Sequence, residues 1–301
     1  MPDIRDLEVS NDVPEPATLA DRWILARLSS VAEEVNSGLD SFRVVETTNL
    51  LYHFFWDELC SWYIELLKPI LLGDDEKKKA AGKQVLRHAL DVSLRLLHPL
   101  MPFVTEVLWQ ELPKAANAPD SVMLAPFPTA ADGRADEEAL IHAKQLMNMI
   151  TAVRTVRSEY EVNPSKEIRL TVFTDDNNLT GLIQKSGPLI SALIRLKELT
   201  VKPMSAPRPS GSATAVTEAA ELLVPLKGII DIASERSRLA KEQDKISKQI
   251  AGSEKKLGNE KFLSRAPEDV VAKEKAKVEE ARARLVKIDE ALTRLKEVEE
   301  A

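Results

Sequence analysis

The chain has 301 residues, of which 44% are hydrophobic and 30% charged, a composition expected of two or three helix-rich globular domains. A single cysteine, Cys60, excludes an internal disulfide and favours a reducing compartment. The acidic N-terminus has no signal-peptide core, and no apolar run reaches the ~18 residues of a membrane span, so we expect a cytoplasmic protein without membrane segments.

Charge is distributed unevenly along the chain. The net charge is −7 overall, with 12 basic and 20 acidic side chains in residues 1–130 and 12 of each in residues 131–228. Residues 229–301 hold 17 basic and 16 acidic side chains. The overall charge is not basic, as it often is in nucleic-acid-binding proteins, so any binding of nucleic acid would depend on local basic patches.

The first part of the chain is predicted to be a flexible lead-in, residues 1–18, followed by an all-α bundle over 19–130. Thr18 can cap the first helix, with Asp21 as the acidic partner of a capping box. Helical spacing continues at 42–67, 77–97 and 104–112, and Asp40 or Ser41 is the predicted cap of the second helix. The large side chains expected on apolar or core-facing positions are Trp23, Trp56, Trp62, Trp109, Phe42, Val45, Phe54, Phe55 and Phe103.

The middle of the chain, residues 131–228, is predicted to be a small α/β connector. A helix fits 136–160, with Leu140 and Ile141 on its apolar face, and Ile168, Leu170 and Val172 alternate as in a strand. The remaining predicted elements are a helix at 178–198, interrupted at Gly187-Pro188, and short strands at 214–216 and 222–224.

The last part, residues 229–301, is predicted to be an antiparallel coiled-coil hairpin. Apolar residues recur at heptad spacing on two arms of about thirty residues each. They are Ile232, Leu239 and Ile246 on the first arm, and Val271, Val278, Leu285, Ile288, Leu292 and Leu295 on the second. Gly258-Asn259 can end the first helix, and Ala266-Pro267 can start the second. Such a rod buries a thin apolar seam, which suits contact with a large partner better than catalysis.

No catalytic or metal site is predicted from motifs. The chain lacks a phosphate-binding glycine loop, and its four histidines and one cysteine do not have the spacing of a zinc site. Cys60 and His53 could share a helical face, but no third group is available to orient them, so Cys60 is better explained as a packed core residue.

Six segments resemble one family. LADRWILARL (19–28), FFWDELCSWYIELLKP (54–69) and LRLLHPLMPFVTEVLWQELP (94–113) resemble the anticodon-binding bundle of class I aminoacyl-tRNA synthetases, most closely that of the valyl family. RTVRSEYEVNPSKEIRL (154–170) is similar to the segment that follows this bundle. GIIDIASERSRLAKE (228–242) and LGNEKFLSRAPEDVVAKEKAK (257–277) are similar to the C-terminal coiled-coil arm of the valyl family. The resemblance covers about residues 19–301.

The resemblance implies a tRNA-binding portion of a larger enzyme. The H-x-G-H and K-M-S-K-S elements of the family's catalytic domain are not in this chain, nor is the editing domain. ATP and Mg are therefore expected only in the full enzyme, with no cofactor in this chain, and the chain alone should not activate valine. The implied partner is tRNA, specifically tRNA-Val, with a separate catalytic domain as a further candidate, and we expect a monomer.

Basic residues give the candidate contacts. Arg238, Lys241, Lys245 and Lys248 follow one another at three- and four-residue steps, so their side chains can line one face of the first arm. By resemblance, the arm contacts the outer corner of tRNA, and its predicted set is Arg236, Arg238, Lys241, Lys245, Lys248, Lys261 and Arg265. The anticodon-binding candidates are Arg43, Lys83 and Arg87. The connector candidates are Arg154, Arg157 and Lys166.

Two alternatives remain open at this level. Met1 opens an orderly lead-in, which would suit a free-standing tRNA-binding or regulatory paralogue. The chain could also be a helical protein-interaction scaffold, in which the arm's lysines form an ordinary solvated flank with pairs such as Glu242–Lys245.

Overall fold

In the computed structural model of the protein, the described residues are 4, 7–10, 12–229, 232–258 and 268–300. The chain divides into two compact units, Met1–Ile150 with Asn177–Ile194, and Thr151–Asp176 with Arg195–Ala301. Within the described ranges, no helix is long and apolar enough to cross a membrane.

The first unit is built on a helical bundle, as the sequence predicts. Its helices pack around a core that includes Ile24, Leu28, Tyr63 and Val85. The helices of this region are α1 (Leu19–Asp40), α2 (Val44–His53), a π-helical segment (Phe54–Tyr63), α3 (Ile64–Leu72), α4 (Glu76–Leu97) and α5 (Pro102–Gln110).

The predicted capping box at the start of α1 is confirmed, and its acid has a further role. Asp21 N–H donates to Thr18 Oγ1 at 3.2 Å, and Thr18 N–H donates to Asp21 Oδ2 at 3.0 Å. Asp21 is fully buried, and its second oxygen accepts a hydrogen bond from the Tyr63 hydroxyl at 2.8 Å. Burial, followed by the charge of Asp21, raises the pKa of Tyr63 well above its ordinary value. The cap therefore also joins α1 to the π-helical segment.

The second predicted helix is continuous in space but changes its hydrogen-bonding pattern. The π-helical segment gives each turn one extra residue, which rotates the faces that a regular helix would show. Trp56, predicted in the core, is 57% exposed for this reason, while Phe54 and Leu59 are buried. Cys60 lies half-buried, and burial raises the pKa of its thiol.

The turn between α1 and α2 also differs from the prediction. Arg43, rather than Asp40 or Ser41, occupies the position before α2, and its side chain makes no capping hydrogen bond. Arg43 N–H donates to the Gly38 carbonyl at 2.8 Å, and Phe42 adopts a positive φ of 55°. This tight reversal pushes Phe42 and Val45 to the surface, so their predicted places on the apolar face are wrong.

The segment after α5 lies along α1 and α4, and two short 3-10 turns, Val122–Leu124 and Ala130–Asp132, shape it. Asn36 Nδ2 donates to the Pro128 carbonyl at 2.8 Å, and Arg95 Nη1 donates to the Pro126 carbonyl at 3.0 Å. Further towards the start of α1, the Ser29 hydroxyl donates to the Ala130 carbonyl at 2.9 Å. Since Asn36 and Arg95 lie near the ends of their helices, α1 and α4 run parallel and finish at the same end of the bundle.

Two more helices contribute to the first unit. α6 (Glu137–Glu159) begins in it, and α7 (Asn177–Ile194) packs against the bundle core through Leu189 and Leu193. Ile141 is exposed rather than on the apolar face. The predicted interruption at Gly187-Pro188 is wrong, because α7 continues through Pro188.

The second unit contains a four-stranded sheet in the order β2-β1-β4-β3. The strands are β1 (Ile168–Phe173), β2 (Leu196–Lys202), β3 (Ser212–Val216) and β4 (Glu221–Pro225). The three predicted strands are confirmed, whereas β2 begins inside the predicted helix 178–198. β1 and β2 are parallel, with Leu170 opposite Leu199, and α7 is the crossover between them. β4 is antiparallel to both β1 and β3.

The C-terminal arm consists of α8 (Ile232–Leu257) and α9 (Glu268–Glu300), which confirms the predicted helix hairpin. Its buried seam contains Leu239, Ile246, Ala281 and Ile288, with Leu285 and Leu292 packed beside them. Gln243 Nε2 donates to Asp289 Oδ1 at 2.6 Å, and Ser253 Oγ donates to Glu274 Oε1 at 2.9 Å. The residue number rises along α8 from 243 to 253 while that of the partner on α9 falls from 289 to 274, so the two helices are antiparallel. The side chains of Ile232 and Leu295, and residues 259–267, lie outside the described residues.

Candidate nucleic-acid interface

The position of the buried seam determines which side chains of α8 are exposed, and these include the predicted basic residues. Because Leu239 and Ile246 turn inward, Lys241, Lys245 and Lys248 fall on the exposed side of α8. Arg236 is exposed as well, and Arg238 is half-exposed. The structure therefore places these five predicted cations along one helix, while Lys261 and Arg265 lie outside the described residues.

Some of these cations are engaged by acids. Arg238 Nε lies 3.4 Å from a Glu161 carboxylate oxygen and its Nη1 lies 3.7 Å from Glu242, while Lys248 Nζ lies 2.5 Å from Asp244 Oδ2. The alternative pair of Glu242 with Lys245 does not form, because Arg284 Nη2 donates to Glu242 Oε1 at 2.6 Å.

Lys241 and Lys245 are the two positions open to a new partner. Both are exposed, and no carboxylate within the described part of the chain pairs with either. An exposed ammonium with no partner can approach a phosphate without first breaking an ion pair.

A second basic position lies where α1 ends. Arg43 occupies an open cleft of about 390 Å³, together with Glu33, Glu34 and Glu46. Its Nη2 donates to Ser37 Oγ at 3.4 Å. The cleft thus offers one guanidinium among carboxylate acceptors, which suits recognition of donor and acceptor groups on a base edge rather than capture of phosphate alone.

The other two anticodon candidates differ in accessibility. Lys83 is half-exposed on α4. Arg87 is buried, and its Nε donates to the Pro113 carbonyl at 2.9 Å. Burial lowers the pKa of the Arg87 guanidinium. The structure gives Arg87 the role of fastening the segment after α5 to α4, and it does not place the side chain on the surface.

The three connector candidates also differ in exposure and in their hydrogen bonds. Arg154 is exposed. Arg157 Nη2 donates to the Asn163 and Lys166 carbonyls at 3.0 and 2.9 Å, and burial lowers the pKa of this guanidinium. Lys166 Nζ donates to the Gly228 carbonyl at 2.7 Å. Both Arg157 and Lys166 therefore hold turns of the second unit in place through backbone carbonyls.

Exposed aromatic rings were missed because apolar residues in a helical pattern predict core. Phe42 is 89% exposed and Phe103, directly after Pro102 at the start of α5, is 88% exposed. Since α1 and α4 finish at the same end, the turn holding Phe42 and the helix holding Phe103 follow at that end. Pro102 marks the start of α5 and is the sequence signal available for Phe103, whereas the positive φ that turns Phe42 outward is visible only in the structure.

Comparison with known proteins identifies the class. Residues 21–172 match the family model described as the anticodon-binding domain of tRNA ligase, so the chain belongs to that family. Residues 231–296 match a second model, the valyl tRNA synthetase tRNA binding arm. The boundaries of these matches fall on the bundle with the start of the sheet, and on the helix hairpin.

The particular relatives are valine–tRNA ligases. The chain is 40% identical over 266 residues to that of Geobacillus stearothermophilus, covering 88% of this chain and 30% of the relative. It is 39% identical over 273 residues to that of Geobacter sulfurreducens (89% and 31%) and 35% identical over 271 residues to that of Clostridium acetobutylicum (90% and 30%). The chain thus spans about three tenths of the length of these relatives, in their C-terminal region, and the resemblance found in the sequence is confirmed.

Proposed function

We propose that this chain binds tRNA, and specifically tRNA-Val, as the C-terminal portion of a valine–tRNA ligase. The observation that carries the proposal is the presence of both an anticodon-binding domain and a tRNA binding arm in one chain. In this proposal, residues 19–130 bind the anticodon end, 131–228 form a connector and 229–301 bind the outer corner of the same tRNA.

At the anticodon end, Arg43 and its neighbour Phe42 are the proposed contacts. An exposed ring can stack on an unpaired base, and the guanidinium and carboxylates of the adjacent cleft can hydrogen-bond to a base edge. On the arm, Lys241 and Lys245 are the proposed phosphate contacts, with Arg236 and Lys248 beside them.

Valine, ATP and Mg belong, in this proposal, to the remainder of the full enzyme. Two distant contacts on one tRNA would fix the direction in which the acceptor end points and add binding energy to the correct tRNA. The chain itself acts as a monomer in a cytoplasmic enzyme, and purified alone it should give no valine-dependent ATP–pyrophosphate exchange. Such exchange by the pure chain would contradict the proposal.

The test is a titration of the whole chain with tRNA-Val and with a non-cognate tRNA across a salt series. The double substitution Lys241→Glu with Lys245→Glu should weaken the binding of both tRNAs and reduce the slope of log K against log salt concentration by about 2. Lys144→Glu with Lys197→Glu, at two exposed lysines outside the proposed contacts, is the matched control for the change in net charge. Arg43→Ala should lower the affinity for tRNA-Val more than the affinity for the non-cognate tRNA.

Binding that depends on salt but not on tRNA identity would favour a free-standing factor that uses the arm alone. If the substitutions at Lys241 and Lys245 weaken binding no more than the control substitutions do, these lysines are ordinary solvent-exposed residues and the arm does not contact tRNA through them. No binding of either tRNA by the folded chain would favour the helical scaffold.

A further inference from the structure

The loop that follows α6, residues 160–166, belongs to the second unit and is fastened from within. Arg157 Nη2 donates to the Asn163 and Lys166 carbonyls at 3.0 and 2.9 Å, so one guanidinium closes the loop. Val162 is buried, and its N–H donates to the Arg157 carbonyl at 2.8 Å. Because its backbone is held in this way, the loop can support another part of the same unit.

Two side chains of this loop reach the start of the arm at separate points. Lys166 Nζ donates to the Gly228 carbonyl at 2.7 Å, in the turn before α8, where Gly228 has a φ of 78°. Further along the chain, a carboxylate oxygen of Glu161 lies 3.4 Å from Arg238 Nε on α8. Two separate points of attachment fix a direction, whereas a single point would leave the arm free to pivot.

The backbone of Glu161 is strained, and its side chain has a role that accounts for this. Its φ of 46° lies in the left-handed region, which glycine adopts more readily at the end of a helix. Strain of this kind is found where a side chain has a specific task. Arg238, the partner of Glu161, also lies 3.7 Å from Glu242, which accepts a hydrogen bond from Arg284 on α9. The Glu161 carboxylate is thereby connected to both helices of the arm.

We propose that Glu161 and Lys166 are positioning residues for tRNA binding, which hold the arm in one direction so that Lys241 and Lys245 meet phosphates. The consequence for tRNA rests on the proposed function, whereas the attachment of the arm does not.

The length of α8 makes its direction important. Lys245 lies ~20 Å along the helix from Ile232, so a tilt of about 10° at the base would displace it by ~3 Å. That displacement equals the length of a hydrogen bond, which is about 3 Å. For a tRNA already bound at its anticodon end, an arm of fixed direction therefore keeps its lysines at a higher effective concentration near the phosphates.

The contacts that fix the arm need not stabilise the fold. Glu161 and Lys166 are exposed, and exposed ion pairs contribute little to the free energy of unfolding. Removing both charges should therefore leave the melting temperature almost unchanged, and the effect should appear in the direction of the arm and in tRNA affinity. A purely structural role would give the opposite result.

The test variant is Glu161→Gln with Lys166→Met, which removes both charges and keeps similar side-chain lengths. Glu167→Gln with Lys202→Met is the matched control, because both positions are exposed in the same unit and make neither of the two contacts with the arm.

Spin labels measure the direction of the arm without tRNA. Glu218→Cys, beside the sheet, and Lys255→Cys, on α8, are exposed labelling positions, and Cys60→Ala removes the natural thiol. Lys255 lies ~35 Å from the start of α8, so a freed tilt of about 10° should broaden the distance distribution in pulsed EPR by ~6 Å. The wild-type loop and the control should both give a narrow distribution. Equal widths for the test variant and the control would overturn the proposal.

The affinity for tRNA-Val is then compared with and without Lys241→Glu and Lys245→Glu. Removing the two loop charges should weaken binding about fivefold when the arm's lysines are present, and less than about twofold when they are reversed, because an arm that cannot bind phosphates gains nothing from a fixed direction. Equal weakening in both backgrounds would mean that the loop contacts tRNA directly, which would overturn the positioning role. If the folded wild-type chain binds no tRNA, the proposed function fails, and the EPR widths still decide whether the loop holds the arm.

Discussion

The indole Nε1 of Trp109 donates a hydrogen bond to Asp91 Oδ1 at 2.7 Å in the interior of the first unit. The other oxygen of Asp91 lies 2.9 Å from Arg95 Nη2, which also reaches Asp132 Oδ1 at 3.0 Å. One buried carboxylate on α4 therefore links α5 to the segment that returns along α1. Because a buried charge is costly when it loses a partner, this network fixes the position of both elements.

Trp109→Phe should destabilise the protein by about 2–3 kcal/mol, because it removes a donor from a charged acceptor in a buried site. The free energy of unfolding in urea measures this. Trp56→Phe is the control: the ring is exposed, and we expect a change below ~0.5 kcal/mol. Equal losses from the two variants would mean that the Asp91 hydrogen bond contributes nothing specific.

Tyr63 should make the stability fall at alkaline pH. The folded state holds the hydroxyl protonated, since burial and Asp21 raise the pKa of Tyr63, whereas the unfolded chain releases the proton near pH 10. Stability from this group is thus complete below ~pH 10 and declines above it, by up to about 1.4 kcal/mol per pH unit. Tyr63→Phe should remove that part of the decline in urea unfolding measured at several pH values. Tyr52→Phe, at an exposed tyrosine, should retain it.

Gly133→Ala and Gly181→Ala should have opposite effects. A Cβ at Gly133 would lie 2.2 Å from Ser29 N and 2.5 Å from the Leu25 carbonyl oxygen, so backbone must move, at a cost of about 1–3 kcal/mol. Gly181 is inside α7 with open space around it, and alanine should stabilise the helix by ~0.5–1 kcal/mol. Melting temperatures of the two variants are the measurement, and a shift of the same sign in both would contradict the close approach at Gly133.

Ile246→Ala should destabilise the arm by about 2–4 kcal/mol, because Ile246 is buried in the seam with Leu239 and Ile288. Thermal unfolding followed by circular dichroism should show an earlier loss of helix. Val286→Ala, on the exposed side of α9, should leave the transition almost unchanged. A seam that tolerates both substitutions equally would not be the source of the hairpin's stability.

Features with a local physical cause could be predicted from the sequence. Thr18 and Asp21 form the expected capping box because that pairing depends on four consecutive residues, and the heptads of the arm predict its seam because the helices are regular. The sequence predicts Trp56 in the core from its residue type alone, whereas the π-helical segment turns it away from the buried Phe54 and Leu59.

The candidate site could be predicted less completely than the fold. Arg43, Lys241 and Lys245 are exposed as required, but Arg87 and Arg157 satisfy backbone carbonyls that only the folded chain brings near them. A basic residue looks the same in sequence whether it binds a partner or closes a turn. Phe42 became a candidate only when the turn that exposes it was known.

The chain's path through α7 has a practical consequence for dividing the protein. The polypeptide leaves the first unit after Ile150, forms β1, returns to the first unit as α7 and leaves again for β2. No single cut yields two intact units, because a fragment ending at residue 150 would expose the core surface that Leu189 and Leu193 cover. Separate expression of the bundle would require α7 to be reattached by a designed linker or circular permutation.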